Sequence, residues 1–111
     1  MTPDKLLQPL TFRTGLVARN RAVLAPMTNK QSHADGTLGD DELRFLCSRA
    51  EGGFGLIMTC AAYVADDGKA WAGELGIARK DHLPSLSRLA QALRKRSAAS
   101  IVQLFHNGLR A

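Results

Sequence analysis

Two polar side chains in this sequence stand where apolar runs stop. Thr28 closes the run Val23-Leu24-Ala25-Pro26-Met27-Thr28, and Gln103 interrupts the run Ile101-Val102-Gln103-Leu104-Phe105-His106. A hydroxyl donates one hydrogen bond and accepts two, and a carboxamide both donates and accepts. A glutamine buried in an apolar strand loses on the order of 1–3 kcal/mol if its amide is unpaired, so Gln103 needs a protein or ligand partner. A hydroxyl such as that of Thr28 can also bond the backbone at the start of a loop. Both runs have the character of buried parallel strands delivering polar groups to one end of a sheet. Ligands collect at the carboxyl ends of such strands, in barrels and open sheets alike. The pair points to a cofactor cleft.

The elements that would position these groups can be read along the chain. Leu10-Thr11-Phe12 and Leu16-Val17-Ala18 flank Arg13-Thr14-Gly15, which predicts a small β-hairpin. A strand follows over residues 22–25, ended by Pro26, because proline cannot donate to a ladder. The polar stretch 28–39 is loop. A helix is expected from Asp40, with Thr37-x-x-Asp40 resembling a capping box and Asp40, Asp41 and Glu42 in the favourable first turn. Leu43, Leu46, Cys47 and Ala50 form its apolar stripe, and Gly52-Gly53 stops it.

Residues 56–60 are apolar at both alternations, as in a strand covered on both faces. Residues 61–76 form a connection long enough to suggest function. A second helix is expected over 83–97, with Pro84 in its first turn and Leu86, Leu89, Ala90 and Leu93 as its stripe; residues 100–104 are the third strand. This β-α-β-α-β order implies an α/β fold with a parallel sheet and right-handed crossovers. Three strands and two helices cannot close a barrel, which typically takes about 250 residues. The chain therefore reads as the opening part of something larger.

The 111-residue length and 45% apolar content fit one globular domain and exclude a disordered or fibrous chain. No run is long enough to cross a bilayer, and Met1 leads into no hydrophobic signal core, so a cytoplasmic protein with no membrane partner is expected. Cys47 and Cys60 read as buried thiols, and no metal-type Cys/His spacing occurs. The net charge of +5 invites a test for nucleic-acid binding, because Arg88, Arg94, Lys95 and Arg96 cluster near one helix end and Arg13, Arg19 and Arg21 near the start. No aromatic residues interleave with them and no RNA-module signature is present. A solvated face, with cations favouring a helix C-terminus, is the preferred reading.

Three segments carry a family likeness. Ala25-Pro26-Met27-Thr28 after a strand, Arg49-Ala50-Glu51-Gly52-Gly53-Phe54-Gly55-Leu56-Ile57 at a helix-to-strand turn, and Gln103-Leu104-Phe105-His106-Asn107-Gly108 together resemble the Old Yellow Enzyme family. Their order and spacing match the first three βα units of that family's (β/α)8 TIM barrel, and the preceding β-hairpin resembles the one that caps the barrel's bottom. The likeness covers nearly the whole chain. It implies that residues 1–111 are the N-terminal segment of a single FMN-binding domain. The activity implied is that of an oxidoreductase and ene-reductase: hydride passes from NADH or NADPH to FMN and on to an activated alkene, an enone or dienoyl-type substrate.

By the same resemblance Ala25, Pro26, Met27 and Thr28 line the isoalloxazine, Thr28 reaching its O4/N5 edge. Gln103 bonds the pyrimidine part of the ring, and Ala61 is the small residue that permits close approach. These residue types match the ring's chemistry, because a flavin edge offers both acceptors and a donor, and a hydroxyl near O4/N5 stabilises the charge that builds up on reduction. No catalytic residue falls within this segment. Lys30 and His106 are possible substrate-side residues. Lys30 stands where several bacterial members carry a tyrosine, and His106 reads better as a positioned histidine than as an acid or base. Leu109 stands where arginine is frequent. Trp71, in the long second loop, could be a lid, an interface residue or a loop anchor.

The family's phosphate grip, substrate-anchoring pair and proton-donating tyrosine would lie beyond Ala111. The remainder of the barrel, in the same gene product or as a separate chain, is thus an implied partner, and the segment alone is expected to be inactive. A homo-oligomer is compatible with the sequence. The alternative is a non-catalytic fragment that adds to a partner, or to itself, through open sheet edges.

Overall fold

A computed structural model describes residues 3–110. A short helix α1 (Pro3–Leu7) precedes a hairpin in which β1 (Leu10–Thr11) pairs antiparallel with β2 (Val17–Ala18), Leu10 opposite Ala18. Its turn closes through Gly15 at φ +90, a left-handed conformation that glycine adopts without a Cβ penalty. The sequence showed the hairpin. It did not show α1, which at five residues is too short for a helical period to be read.

Four parallel strands form the sheet: β3 (Val23–Leu24), β4 (Leu56–Tyr63), β5 (Leu75–Gly76) and β6 (Ala99–Phe105). Leu56 pairs with both Val23 and Ala99, so β3 and β6 lie on opposite edges of β4. Tyr63 pairs with both Gly76 and Phe105, so β5 shares the β3 edge at the strand's far end. The central position explains why β4 is apolar on both faces. It is three residues longer than expected, which places Ala61 inside the strand, and β5 interrupts the connection that follows. Two residues show no alternation, so β5 had no sequence signal of its own.

Helices α2 (Asp40–Glu51) and α3 (Leu83–Lys95) pack on one face of this sheet. Leu46, Cys47 and Ala50 of α2 and Leu89 and Leu93 of α3 meet Ile57 and Ala62 of β4, with Val102 of β6 against them. Burying each leucine in full is worth about 1.5–3 kcal/mol, and these side chains are the main apolar content of the layer.

The capping expectation for α2 is corrected. Thr37 turns back to Asp35, its amide and hydroxyl donating to Oδ1 at 3.0 and 2.7 Å, and Gly39 is the N-cap with no side-chain bond. A Cβ on Gly39 would lie 2.0 Å from the Gln31 carbonyl oxygen, so loop packing rather than capping decides that position. The three acids do fill the first turn. Helix α3 ends two residues early, where Ser97 takes a left-handed φ of 61.

Several of the clustered cations have protein partners. Arg19 donates to the Ala50, Phe54 and Arg96 carbonyls at 2.6, 3.1 and 2.8 Å, satisfying the C-terminal ends of both packed helices. Arg88 pairs with Asp40 at 3.0 Å and Arg96 with Glu51 at 2.9 Å. Among the described residues, no helix is long and apolar enough to cross a membrane.

Candidate functional site

The ladder between β4 and β6 changes step at one point. Met58 faces Ile101, but the next pair is Ala61 with Gln103, so β4 spends one more residue than β6. This is a β-bulge, a device that re-aims side chains. Thr59 closes the gap: its Oγ1 accepts the Gln103 amide hydrogen at 3.2 Å and donates to the Cys60 carbonyl at 2.8 Å. Paired residues of a parallel ladder project from the same face. Ala61 and Gln103 therefore stand side by side, away from Ala62 and the helix layer. Ala61 is 7% exposed and leaves the glutamine unobstructed by a larger neighbour.

The other expected residues leave the sheet at the same end. Residues 25–28 follow β3, which runs parallel to β4 and β6, so they emerge at the shared carboxyl end. Ala25 and Thr28 are exposed, Pro26 is half-buried and Met27 is 61% exposed. Among the described residues, neither the Thr28 hydroxyl nor the Gln103 carboxamide bonds to a protein group. The adjacent Asn29 accepts the Gln31 amide at 3.2 Å, yet its buried Nδ2 has no partner. A ring edge carrying both acceptors and donors would satisfy such unpaired groups, so the residues present fit a flavin.

The loop after β3 is held by packing and by buried polar contacts. Lys30 takes a left-handed φ of 55, and its carbonyl lies so close to Gly73 that a Cβ there would come within 2.4 Å of the oxygen. The Lys30 side chain is exposed, outside this packing. Ser32 bonds the Gly73 carbonyl through its amide at 3.0 Å and Glu42 Oε2 through its hydroxyl at 2.7 Å. Glu42 is fully buried, and burial raises its pKa. Both cysteines are free, and burial followed by the Glu42 charge pushes the Cys60 thiol up to about 12, which leaves it without nucleophilic thiolate at neutral pH.

His82, which sequence reasoning passed over, ties two loops and the end of β4 together. Its Nδ1 accepts the Ala78 and Arg79 amides at 3.0 and 3.3 Å, so Nε2 carries the proton and donates to the Asp35 carbonyl at 2.8 Å. The Tyr63 hydroxyl donates to the same carbonyl at 3.2 Å. Gly36 and Gly76 lie against the ring, where a Cβ would come within 2.7 and 2.4 Å of it. A lone histidine beside a helix start gives little warning of this role.

His106 is a positioned residue at the end of β6. Its Nδ1 accepts the Gly108 amide at 2.9 Å, which turns the Nε2 proton toward Asp67 at 3.3 Å, and Gly68 packs against its ring. Trp71 stacks obliquely on Phe105 with ring centres 5.6 Å apart, so it anchors its loop to β6. A cavity of about 360 Å³ lies elsewhere, between the hairpin and the end of α3; it is lined by Leu16, Val17, Arg94 and Ala98 and sits at the amino ends of the strands. None of the expected site residues borders it.

The pattern of the NADH:flavin oxidoreductase / NADH oxidase family matches residues 5–111. The chain belongs to this family. A probable NADH-dependent flavin oxidoreductase of Bacillus subtilis, YqiG, is 38% identical over 104 residues, 94% of this chain and 28% of that protein. An NADH:fumarate oxidoreductase of Klebsiella pneumoniae is 30% identical over 95% of this chain and 11% of its own length. The structure of a 2-naphthoyl-CoA reductase in complex with 2-naphthoyl-CoA superimposes at TM-score 0.90 with 30% identity, over 97% of this chain and 16% of that one. The old yellow enzyme of Pichia sp. AKU4542 shares the fold, at TM-score 0.88 and 22% identity, over 96% of this chain and 28% of its own. The chain thus spans under a third of each of these family relatives, and its sheet corresponds to part of their larger architecture.

Proposed function

We propose that this chain supplies the first strands of an FMN-dependent barrel, with Ala25, Pro26, Met27, Thr28, Ala61 and Gln103 lining the flavin. The observation that carries this reading is the side-by-side placement of Ala61 and Gln103 at the end of the sheet from which Thr28 also emerges. Bound FMN would relay hydride from NADH or NADPH to an activated alkene; one relative is named an NADH:fumarate oxidoreductase, and fumarate is such an alkene.

The chain's own residues bind and tune. Gln103, whose carboxamide carries both a donor and an acceptor and whose backbone is fixed by Thr59, would hold the ring through both kinds of group. Thr28 Oγ1–H would stabilise developing negative charge on the ring. Ala61 keeps the ring close. We assign Lys30 and His106 to the substrate side; Asp67 and Gly68 fix the orientation of the His106 ring. The phosphate grip and the groups that anchor and protonate substrate belong to the remainder of the barrel, in a protein of the cytoplasm.

The test is reconstitution. The complete barrel protein should bind FMN and oxidise NADH or NADPH with an enone, while residues 1–111 alone should show no turnover; turnover by the verified segment overturns the assignment. The edge of β6 facing away from β4 is unpaired among the described residues, and Ile101 and Leu104 are 36% and 64% exposed. That edge favours a second reading for the isolated segment, association with a partner or with itself, which oligomers formed without flavin would support.

A further inference from the structure

Glu42 is a fully buried carboxylate on a helix face that otherwise carries Leu46, Cys47 and Ala50. An amphipathic helix buries apolar residues on that stripe, and a buried charge or half-satisfied carboxyl is costly there. Local choices that work against stability concentrate at functional positions. What Glu42 touches gives the reason. Its Oε2 accepts the Ser32 hydroxyl at 2.7 Å, and its Oε1 has no hydrogen-bond partner. The Cys60 thiol lies against the same carboxyl and against the Asn29 backbone. Asn29 directly follows Thr28, and Cys60 directly precedes Ala61.

We propose that Glu42 is a positioning residue for the cofactor seat: it holds the segment Asn29–Ser32 against the bulged end of β4, so that Thr28 and Ala61 keep a fixed relation. This rests on the flavin reading above. Glu42 touches no reacting atom and acts through the backbone of its neighbours. An apolar residue would fill the space but hold neither Ser32 nor the thiol. Glutamine would keep an acceptor for the Ser32 hydroxyl and remove only the charge.

The experiment uses the complete FMN-loaded protein in four forms: wild type, Glu42→Leu, Glu42→Gln and, as a control for general destabilisation, Leu93→Ala in the core of α3. Titration with FMN and amide hydrogen exchange are both measured. Loss of a buried hydrogen bond of about 1–3 kcal/mol corresponds to roughly 5- to 150-fold, so Glu42→Leu should weaken FMN binding by about tenfold or more and speed exchange at Asn29–Ser32 comparably. Glu42→Gln should restore both to near the wild-type values. Leu93→Ala should lower the melting temperature with the flavin absorption bands and the exchange at Asn29–Ser32 unchanged. An unaltered FMN affinity and exchange rate in Glu42→Leu, or the same losses in Leu93→Ala, overturns the proposal. A wild-type protein that binds no FMN removes the functional reading and with it the flavin role of Glu42, and the exchange comparison then still decides whether Glu42 tethers the loop.

Discussion

Thr59 donates its hydroxyl hydrogen to the Cys60 carbonyl and accepts the amide hydrogen of Gln103, so one side chain bridges both strands at the bulge. Without the extra residue, strict alternation would set Cys60 rather than Ala61 on the face shared with Met58. A bulky or ionisable group would then stand beside Gln103, and the small residue would face the helices.

Replacing Thr59 by valine keeps the shape and removes both bonds. We expect Thr59→Val to leave the Gln103 amide unpaired and to lower stability by about 1–3 kcal/mol in urea denaturation. FMN affinity of the complete protein should fall in parallel, and Thr59→Ser should recover most of both losses. Equal affinity in all three forms would show that the bulge does not serve Gln103.

Thr28→Ala removes the hydroxyl assigned to the charge-bearing edge of the ring. We expect the flavin midpoint potential to fall by about 30 mV, the equivalent of roughly 1.4 kcal/mol for a two-electron couple. FMN affinity should change little by comparison, because the contacts proposed for Ala25, Pro26 and Met27 are mainly backbone and van der Waals. Spectroelectrochemical titration of the two holoproteins decides it.

Glu42 gives the stability a pH dependence of definite sign. Burial raises its folded-state pKa above the ordinary value of 4.5, so the folded chain binds more protons than the unfolded chain in the interval between them. Its contribution is therefore fully present below that ordinary value and is lost as pH rises through the raised one. Denaturation across this window should show stability declining with pH in the wild type, and a smaller slope in Glu42→Gln, which has nothing to ionise there.

His82→Ala strands the Ala78 and Arg79 amides and removes one of the donors to the Asp35 carbonyl, which keeps Tyr63 and Arg79. We expect a loss of about 3 kcal/mol, from an emptied core position together with unpaired polar groups. Limited proteolysis should then cut within residues 33–37 and 77–80. Gly36→Ala should expose the same sites by another route, since its φ is +88 and a Cβ would lie 2.2 Å from the Tyr63 hydroxyl.

Much of this arrangement was legible in the sequence because long elements carry long periods. The stripe of Leu46, Cys47 and Ala50 and the doubly apolar run from Leu56 each show a repeat that only one local structure satisfies. Helix α1 and strand β5 span too few residues to repeat anything. Thr37 was misread because a capping residue and an Asx-turn partner have the same composition, and only the approach of Gln31 to Gly39 distinguishes them. Thr28 and Gln103 were singled out as polar groups at the ends of apolar runs and again by motif likeness, and Ala61 by motif likeness alone. Glu42 and His82 escaped because their role lies in contacts with residues 10, 19 and 47 positions away, which no local pattern encodes.

The segments at the carboxyl end are fastened to one another: Ser32 to Gly73, Gly36 to Gly76, Gly68 to Asn107. Pieces joined by backbone hydrogen bonds at glycines, where no side chain can yield, swing together or not at all. Under the proposed function, any gate for substrate would therefore hinge outside these three crossings. In evolving such a protein toward bulkier ligands, loosening this floor would disturb the proposed cofactor seat before it widened the door.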